Sequence, residues 1–167
     1  RQTRDRLDHL LAGAGELTGP EVAAVVLAAL RPEDVLVVGS SNPVRDLDLA
    51  PVGAAAPAVF ANRGLAGIDG LVSTAVGVAW GSGAPVTALL GDLTLLHDAT
   101  GLVVGPLEPR PDVRFVVVND DGGSIFATLE QGAPGHVASF ERVFGTPQGV
   151  RLQGLADADG LPYRRVT

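Results

Sequence analysis

The chain has 167 residues, 46% of them hydrophobic and 19% charged, enough for one compact domain with a sizeable core. Its formal net charge of -7 argues against the broad positive footprint of a nucleic-acid surface, and the absence of Cys excludes disulfides, thiolate metal sites and cysteine nucleophiles. No apolar run reaches the roughly 18 uncharged residues of a membrane span, because Asp69, Asp92, Asp98 and Asp112 interrupt every candidate, so a soluble, cytoplasmic chain is expected. All 12 basic residues are Arg; with heavy use of Ala, Gly and Val, this makes a single Arg weaker evidence for anion recognition than usual. Met is absent and the opening Arg1-Gln2-Thr3-Arg4 is unlike a signal peptide, so an internal piece of a longer protein is expected.

Arg1 to about Gly13 reads as a short polar helix. Thr18-Gly19-Pro20-Glu21 then supplies a capping box, with Pro near the helix start, ahead of the apolar run Val22 to Leu30. Val35 to Gly39 is β-branched and bounded by Asp34 and by Ser40-Ser41-Asn42-Pro43, the pattern of a strand buried on both faces and followed by a loop. Ala58 to Ala61 reads as a short second strand. The turn Asn62 to Gly70 leads into a small-residue helix from about Leu71 to Gly81, for which Asp69 is the candidate N-cap.

Pro85 to Leu90 and Arg114 to Asn119 are further buried strands, followed by helical stretches near Leu93 to Val103 and Ile125 to Gln131. The tail holds a helix around Phe140 to Phe144, a Gly145-Thr146-Pro147 stop, a weak helix near Leu155 and a last strand at Tyr163 to Val166. Alternating strands and helices predict an α/β fold: a doubly wound, mostly parallel sheet with helices on both faces and ligands at the carboxyl ends of its strands.

Two such ends carry hard oxygen ligands. Asp92 in Gly91-Asp92-Leu93 offers a carboxylate, and Asn119 in Asn119-Asp120-Asp121-Gly122-Gly123 offers an amide oxygen. Magnesium takes about six oxygens and rarely all from protein, so these two with the carbonyl of Asp121 leave room for a diphosphate and water. Two plainer readings remain open at this point: Asp92 caps the following helix, and the Asn-Asp-Asp-Gly-Gly string is a flexible turn.

Gly-Asp followed by Asn one strand later resembles the magnesium and diphosphate motif of thiamine-diphosphate-dependent enzymes. With it stand Ser41-Asn42-Pro43-Val44-Arg45-Asp46, Ala61 to Gly70, Gly91 to Asp98 and Gly122-Gly123-Ser124-Ile125-Phe126. Together these are similar to one branch of that superfamily, the 2-succinyl-5-enolpyruvyl-6-hydroxy-3-cyclohexene-1-carboxylate synthases of menaquinone biosynthesis, from about Val35 to Pro147.

The resemblance implies thiamine diphosphate as cofactor, with magnesium, or manganese in its place, held by Asp92, Asn119 and the Asp121 carbonyl. Gly91, Leu93, Gly122 and Gly123 would lie along the cofactor. Ile68 would support its bent form, and Ile125 and Phe126 would wall the reacting ring, although Ile125, Phe126 and Leu129 at helical spacing are most simply a buried face. Ser41, Arg45 and Arg63 would take the carboxylates of 2-oxoglutarate and isochorismate. The implied reaction decarboxylates the first and adds the remaining succinyl unit to the second.

In that family the site is completed by the pyrimidine-binding domain of a second subunit, in a homodimer or homotetramer. Residues 1–30 are then expected to be a helical linker segment, and 31–167 the diphosphate-binding domain, truncated at its C-terminus. None of Glu16, Glu21, Glu33, Glu108, Glu130 or Glu141 matches the family's activating glutamate, so the chain alone is expected to be inactive. Asp120 stands where the generic motif often has a second Asn, and Gln148 where His is expected; neither is assigned a role. Another thiamine-diphosphate carboligase of the acetolactate synthase type is the enzymatic alternative, and a noncatalytic binding module the other. A nucleotide site is disfavoured, since no Gly-x-Gly-x-x-Gly follows the first strand and there is no Lys for a phosphate loop.

Overall fold

The computed structural model describes residues 17–51, 56–62, 64 and 67–167. The helix expected before Gly13, and Arg63, lie outside the described residues. Four strands, β1 (Val35–Val38), β2 (Ala58–Phe60), β3 (Val86–Gly91) and β4 (Val113–Val118), form one parallel sheet in the order β2-β1-β3-β4. From β1 the chain continues to one side and later returns on the other, which makes the gap between the carboxyl ends of β1 and β3 the sheet's switch point.

Period-two alternation sets the two cores. Val35 and Val37 of β1 and Ala88 and Leu90 of β3 face Leu71, Val72, Ala75 and Ala79 of α3 (Leu71–Ser82), with Val113, Phe115 and Val117 packed alongside. Leu36 and Leu89, with Val116 and Val118 beside them, point the other way onto Val22, Ala23, Val26 and Ala29 of α1 (Gly19–Ala29). Helices thus cover both faces, as strands with no polar face require. Among the described residues no helix is long and apolar enough to cross a membrane.

Several elements follow their sequence signals. The Thr18 amide and hydroxyl both donate to the Glu21 carboxylate, at 3.0 and 2.9 Å, and these bonds hold the Glu21 carboxyl below its ordinary pKa. Asp34 is fully buried and accepts the Arg31 amide at 2.8 Å, closing the turn into β1. Other elements differ. Ser40 to Pro43 is more than a loop: Pro43 sits in the first turn of α2 (Asn42–Leu49), where its missing N–H costs nothing. The region expected as a helix over Ile125 to Gln131 is a pair of 3-10 turns, Ser124–Thr128 and Glu130–Gly132. Two short elements, α5 (Val137–Phe140) and the π turn Glu141–Gly145, precede α6 (Leu152–Ala158). Tyr163 to Val166 forms no strand; this segment lines a groove along β4.

The N-terminus of α3 differs most instructively. Gly70, in the left-handed region at φ 69°, and not Asp69, is its N-cap, and it offers no side chain. The cap comes from afar. The stretch expected as one helix from Leu93 to Val103 breaks at Asp98, between α4 (Asp92–His97) and the 3-10 turn Ala99–Leu102. There the Asp98 carboxylate accepts the Ser73 amide at 2.6 Å and the Ser73 hydroxyl at 3.0 Å. An acceptor at a helix N-terminus satisfies an otherwise orphaned amide and complements the dipole. Asp98→Ala is expected to lower stability by about 1 kcal/mol, and Ser73→Ala by less because the backbone amide stays capped. Urea unfolding of both variants checks this; an Asp98→Ala midpoint equal to the parent would contradict it.

Candidate functional site

The register of the sheet builds the site. Gly91 pairs with Val118 across β3 and β4, so Asp92 and Asn119 are the first residues beyond two neighbouring strands, whose backbones run about 4.8 Å apart. The carboxyl end of β1 adjoins β3 on the other side, where the Gly39 amide donates to the Leu89 carbonyl at 2.8 Å. Ser41, Asn42 and Arg45 therefore open on the same end of the sheet as Asp92 and Asn119. Ile68 sits half-buried in the coil just before α3.

Asp92 is buried, only 3% exposed, at the start of α4. Burial, joined by the neighbouring Asp120 charge and a bond to its carboxyl, raises the Asp92 carboxyl to about 6, while the Leu93 amide pulls the other way. Asp46 on α2 is also pushed up, by burial and then by Asp120. Asp120 thus acts on both Asp92 and Asp46, and a buried carboxylate beside another acid is the setting in which a bound cation offsets the largest unfavourable term. Among the described residues no three His, Asp or Glu side chains converge to hold a metal. A cation here would rely on the mixed oxygen set of Asp92, Asn119 and a backbone carbonyl, the hard, small set suited to magnesium.

The loop after β4 is tightly specified, which answers the flexible-turn reading. Asn119 Oδ1 accepts the Asp121 amide at 3.0 Å, and Asp121 adopts φ 55°, the left-handed region that Asp tolerates better than most residues. The Asp121 carboxylate accepts the Gly149 amide at 3.0 Å, so its side chain serves the fold. Asn119 keeps a second lone pair on its amide oxygen.

The glycines separate into two kinds. Gly122 has φ 142°, and a Cβ there would lie 2.1 Å from the Gly145 carbonyl; one on Gly123 would lie 2.3 Å from the Phe144 carbonyl. Both are required by the close passage of the Phe144-Gly145 backbone, which Gly123 also bonds through its amide at 2.7 Å. At Gly91 no such pressure exists. Its φ is an ordinary -82°, and a Cβ would meet only Thr94 Oγ1 and the Val118 carbonyl at 4.0 Å. Internal packing does not call for glycine there, whereas close approach by a ligand's diphosphate would.

The substrate-side candidates are placed as follows. Ser41 has φ 76° and ψ -139°, a conformation that costs a non-glycine residue on the order of 1–3 kcal/mol and that clusters at functional sites. Its carbonyl accepts Arg45 Nη1 at 2.7 Å, so the exposed guanidinium folds back over the N-terminus of α2. Ile125 and Phe126 are half-buried and Leu129 is exposed; the 3-10 turn forms no buried helical face from these three. Phe126 instead stands against Phe144, ring centroids 5.6 Å apart and tilted by 48°, with Phe140 beyond at 6.2 Å.

Sequence reading passed over one connection. Asn42 Nδ2 donates to Ser124 Oγ at 2.9 Å, and the Ser124 hydroxyl donates to the Asp120 carboxylate, tying the N-terminus of α2 to the loop after β4. The residues are 82 positions apart, and only the strand order brings them together.

No family model matches the chain. Curated relatives do. The chain is 55% identical over 157 residues, 93% of its length, to the 2-succinyl-5-enolpyruvyl-6-hydroxy-3-cyclohexene-1-carboxylate synthase of Nocardia farcinica. To the synthases so named of Saccharopolyspora erythraea and a Nocardioides species it is 55% identical over 145 residues and 54% over 172, which cover 87% and 99% of the chain. The matches span 29%, 26% and 32% of those relatives, so the chain corresponds to about a third or less of their length. The resemblance read from the motifs is thereby borne out over nearly the whole chain.

The raised Asp92 carboxyl has a consequence for stability. A folded-state pKa above the unfolded value adds stability that is fully present below about pH 4 and is lost as pH rises through about 6. Without divalent cations, Asp92→Asn is expected to be more stable than the parent at pH 7.5 by about 2 kcal/mol, the gain fading toward pH 4. Thermal unfolding across that range checks it; a variant less stable than the parent at pH 7.5 would contradict it.

Proposed function

We propose that this chain is the diphosphate-binding part of a thiamine-diphosphate-dependent 2-succinyl-5-enolpyruvyl-6-hydroxy-3-cyclohexene-1-carboxylate synthase, acting on 2-oxoglutarate and isochorismate. The observation that carries the reading is the meeting of Asp92 and Asn119 at adjacent strand ends beside a Gly91 that packing leaves unexplained. The similarity to synthases of that name supports the choice of branch.

In this reading Asp92, the Asn119 amide oxygen and the Asp121 carbonyl hold magnesium, which neutralises the buried carboxylate and fixes the diphosphate. Manganese can take the same oxygens. Gly91 and Leu93 line the diphosphate, with Gly122 and Gly123 shaping the loop beneath it. When bound, thiamine diphosphate supplies an electron sink for loss of carbon dioxide from a 2-oxoacid and transfer of the remaining acyl unit. Ile68 would support the cofactor, and Ile125 and Phe126 would keep water from the reacting ring.

Ser41, Arg45 and Arg63 orient the substrates through their carboxylates, the planar guanidinium being matched to bidentate carboxylate binding. Swinging Arg45 from the Ser41 carbonyl to a substrate carboxylate exchanges a neutral acceptor for a charged one, which favours the bound state. The group that activates the cofactor belongs to a pyrimidine-binding domain of a second subunit, in a homodimer or homotetramer.

Calorimetric titration with thiamine diphosphate, with the pyrimidine-binding domain supplied, tests the assignment. Binding is expected only with magnesium and is expected to weaken at least ~10-fold in Asp92→Ala, in line with the loss of a charged ligand. Binding that ignores both magnesium and Asp92 would contradict the reading and favour a noncatalytic module. Carbon dioxide release from 2-oxoglutarate is expected from the two domains together and not from this chain alone.

A further inference from the structure

We infer that Asn42 and Ser124 are positioning residues that lock Ser41 and the N-terminal turns of α2, which carry Arg45, to the loop carrying Asn119 and Asp121. A cation and diphosphate held by that loop would then fix the carboxylate-binding groups of Ser41 and α2. The inference rests on the function proposed above and adds to it a physical link between the cofactor's tail and the substrate side.

The polarity of the link is set by its ends. The Ser124 hydroxyl has a single proton, which it gives to the Asp120 carboxylate, so its other bond must be received from the Asn42 amide nitrogen. The opposite amide orientation would face one acceptor with another and break the chain of bonds. Each of the three groups therefore has one arrangement that satisfies all of them.

Each end of the link also grips something that matters. Asp120 lies between Asn119 and Asp121, the two residues of that loop proposed to offer oxygens to the cation, so its side-chain anchor constrains both. The base beneath Ser124 is firm, because the Gly123 amide is bonded to the Gly145 carbonyl and leaves no room for a side chain. At the other end Asn42 directly follows Ser41, whose positive φ is a conformation a free loop would leave. Arg45 bonds the Ser41 carbonyl from within α2 itself; the link through Asn42 reaches a different strand end. The same Ser124 opens the turn that carries Ile125 and Phe126, so the link joins three groups of proposed site residues.

Amide hydrogen exchange followed by mass spectrometry tests the inference, on the full chain with the pyrimidine-binding domain present, before and after adding magnesium chloride and thiamine diphosphate. In the parent, exchange is expected to slow by ~3-fold or more both at residues 119–123 and at 40–45, since both segments become ordered together. In Ser124→Ala and Asn42→Ala the protection at 119–123 is expected to persist while that at 40–45 is lost. Ser124→Thr, which keeps the hydroxyl, should restore it. Protection of 40–45 that survives in both alanine variants would overturn the inference, as would protection of 119–123 alone in the parent. Protection at neither segment in the parent would instead sink the cofactor reading, and the link's purpose with it. Circular dichroism of each variant confirms that it is folded, and two independent alanine variants guard against the failure of one.

Discussion

The parallel register between β3 and β4 is the constraint from which the rest of the site follows. Ala88 and Leu90 are fully buried on one face and Leu89 on the other, so a slip of one residue would exchange the two cores and expose what is now inside. Burial therefore fixes the pairing of Gly91 with Val118, and that pairing delivers Asp92 and Asn119 side by side. Because β1 pairs with β3 on its other edge, the strained Ser41 and the Arg45 that bonds its carbonyl open on the same end of the sheet. Apolar packing deep in the sheet thus sets the geometry of polar groups at its rim.

The rim itself stands against stability. Asp92 is buried beside Asp120, Asp46 is pushed in the same direction, and Ser41 occupies a region that a serine seldom visits. Each would be relieved by a simple substitution, and local rules are broken in this way chiefly where a site demands it. A divalent cation would resolve the first conflict directly, since it favours the ionised carboxylate that burial disfavours. The two classes of glycine sharpen the contrast: Gly122 and Gly123 answer to the neighbouring Phe144-Gly145 backbone, whereas Gly91 answers to nothing inside the chain.

Much of this was legible before the structure. Apolar runs at Val35 and Pro85 announced buried strands, the run at Arg114 announced a strand that proves half-buried along its whole length, and Asp92 and Asn119 stood at two of their ends. What escaped was what depends on distance along the chain. Asp98 lies 25 residues from the Ser73 amide it caps, so local reading assigned the cap to Asp69. Asn42 lies 82 residues from Ser124. Asp120 looked neutral in its own motif because its effect is exerted on Asp92, across the sheet. Ile125, Phe126 and Leu129 have helical spacing, yet the chain there makes a 3-10 turn held by the Gly145 carbonyl, and the spacing loses its meaning. Sequence proximity exposes caps and periodicity; it does not expose contacts created by strand order.

Whether the ends of β3 and β4 jointly hold a divalent cation is measured by paramagnetic broadening with Mn2+, through backbone amide resonances of the chain with thiamine diphosphate and the pyrimidine-binding domain present. Signals from Gly91 to Leu93 and from Asn119 to Gly123 are expected to vanish first and together, and Asp92→Ala to abolish both losses. Broadening that begins at exposed acids elsewhere, such as Glu108, Asp112 or Asp157, or that affects one strand end without the other, would contradict it.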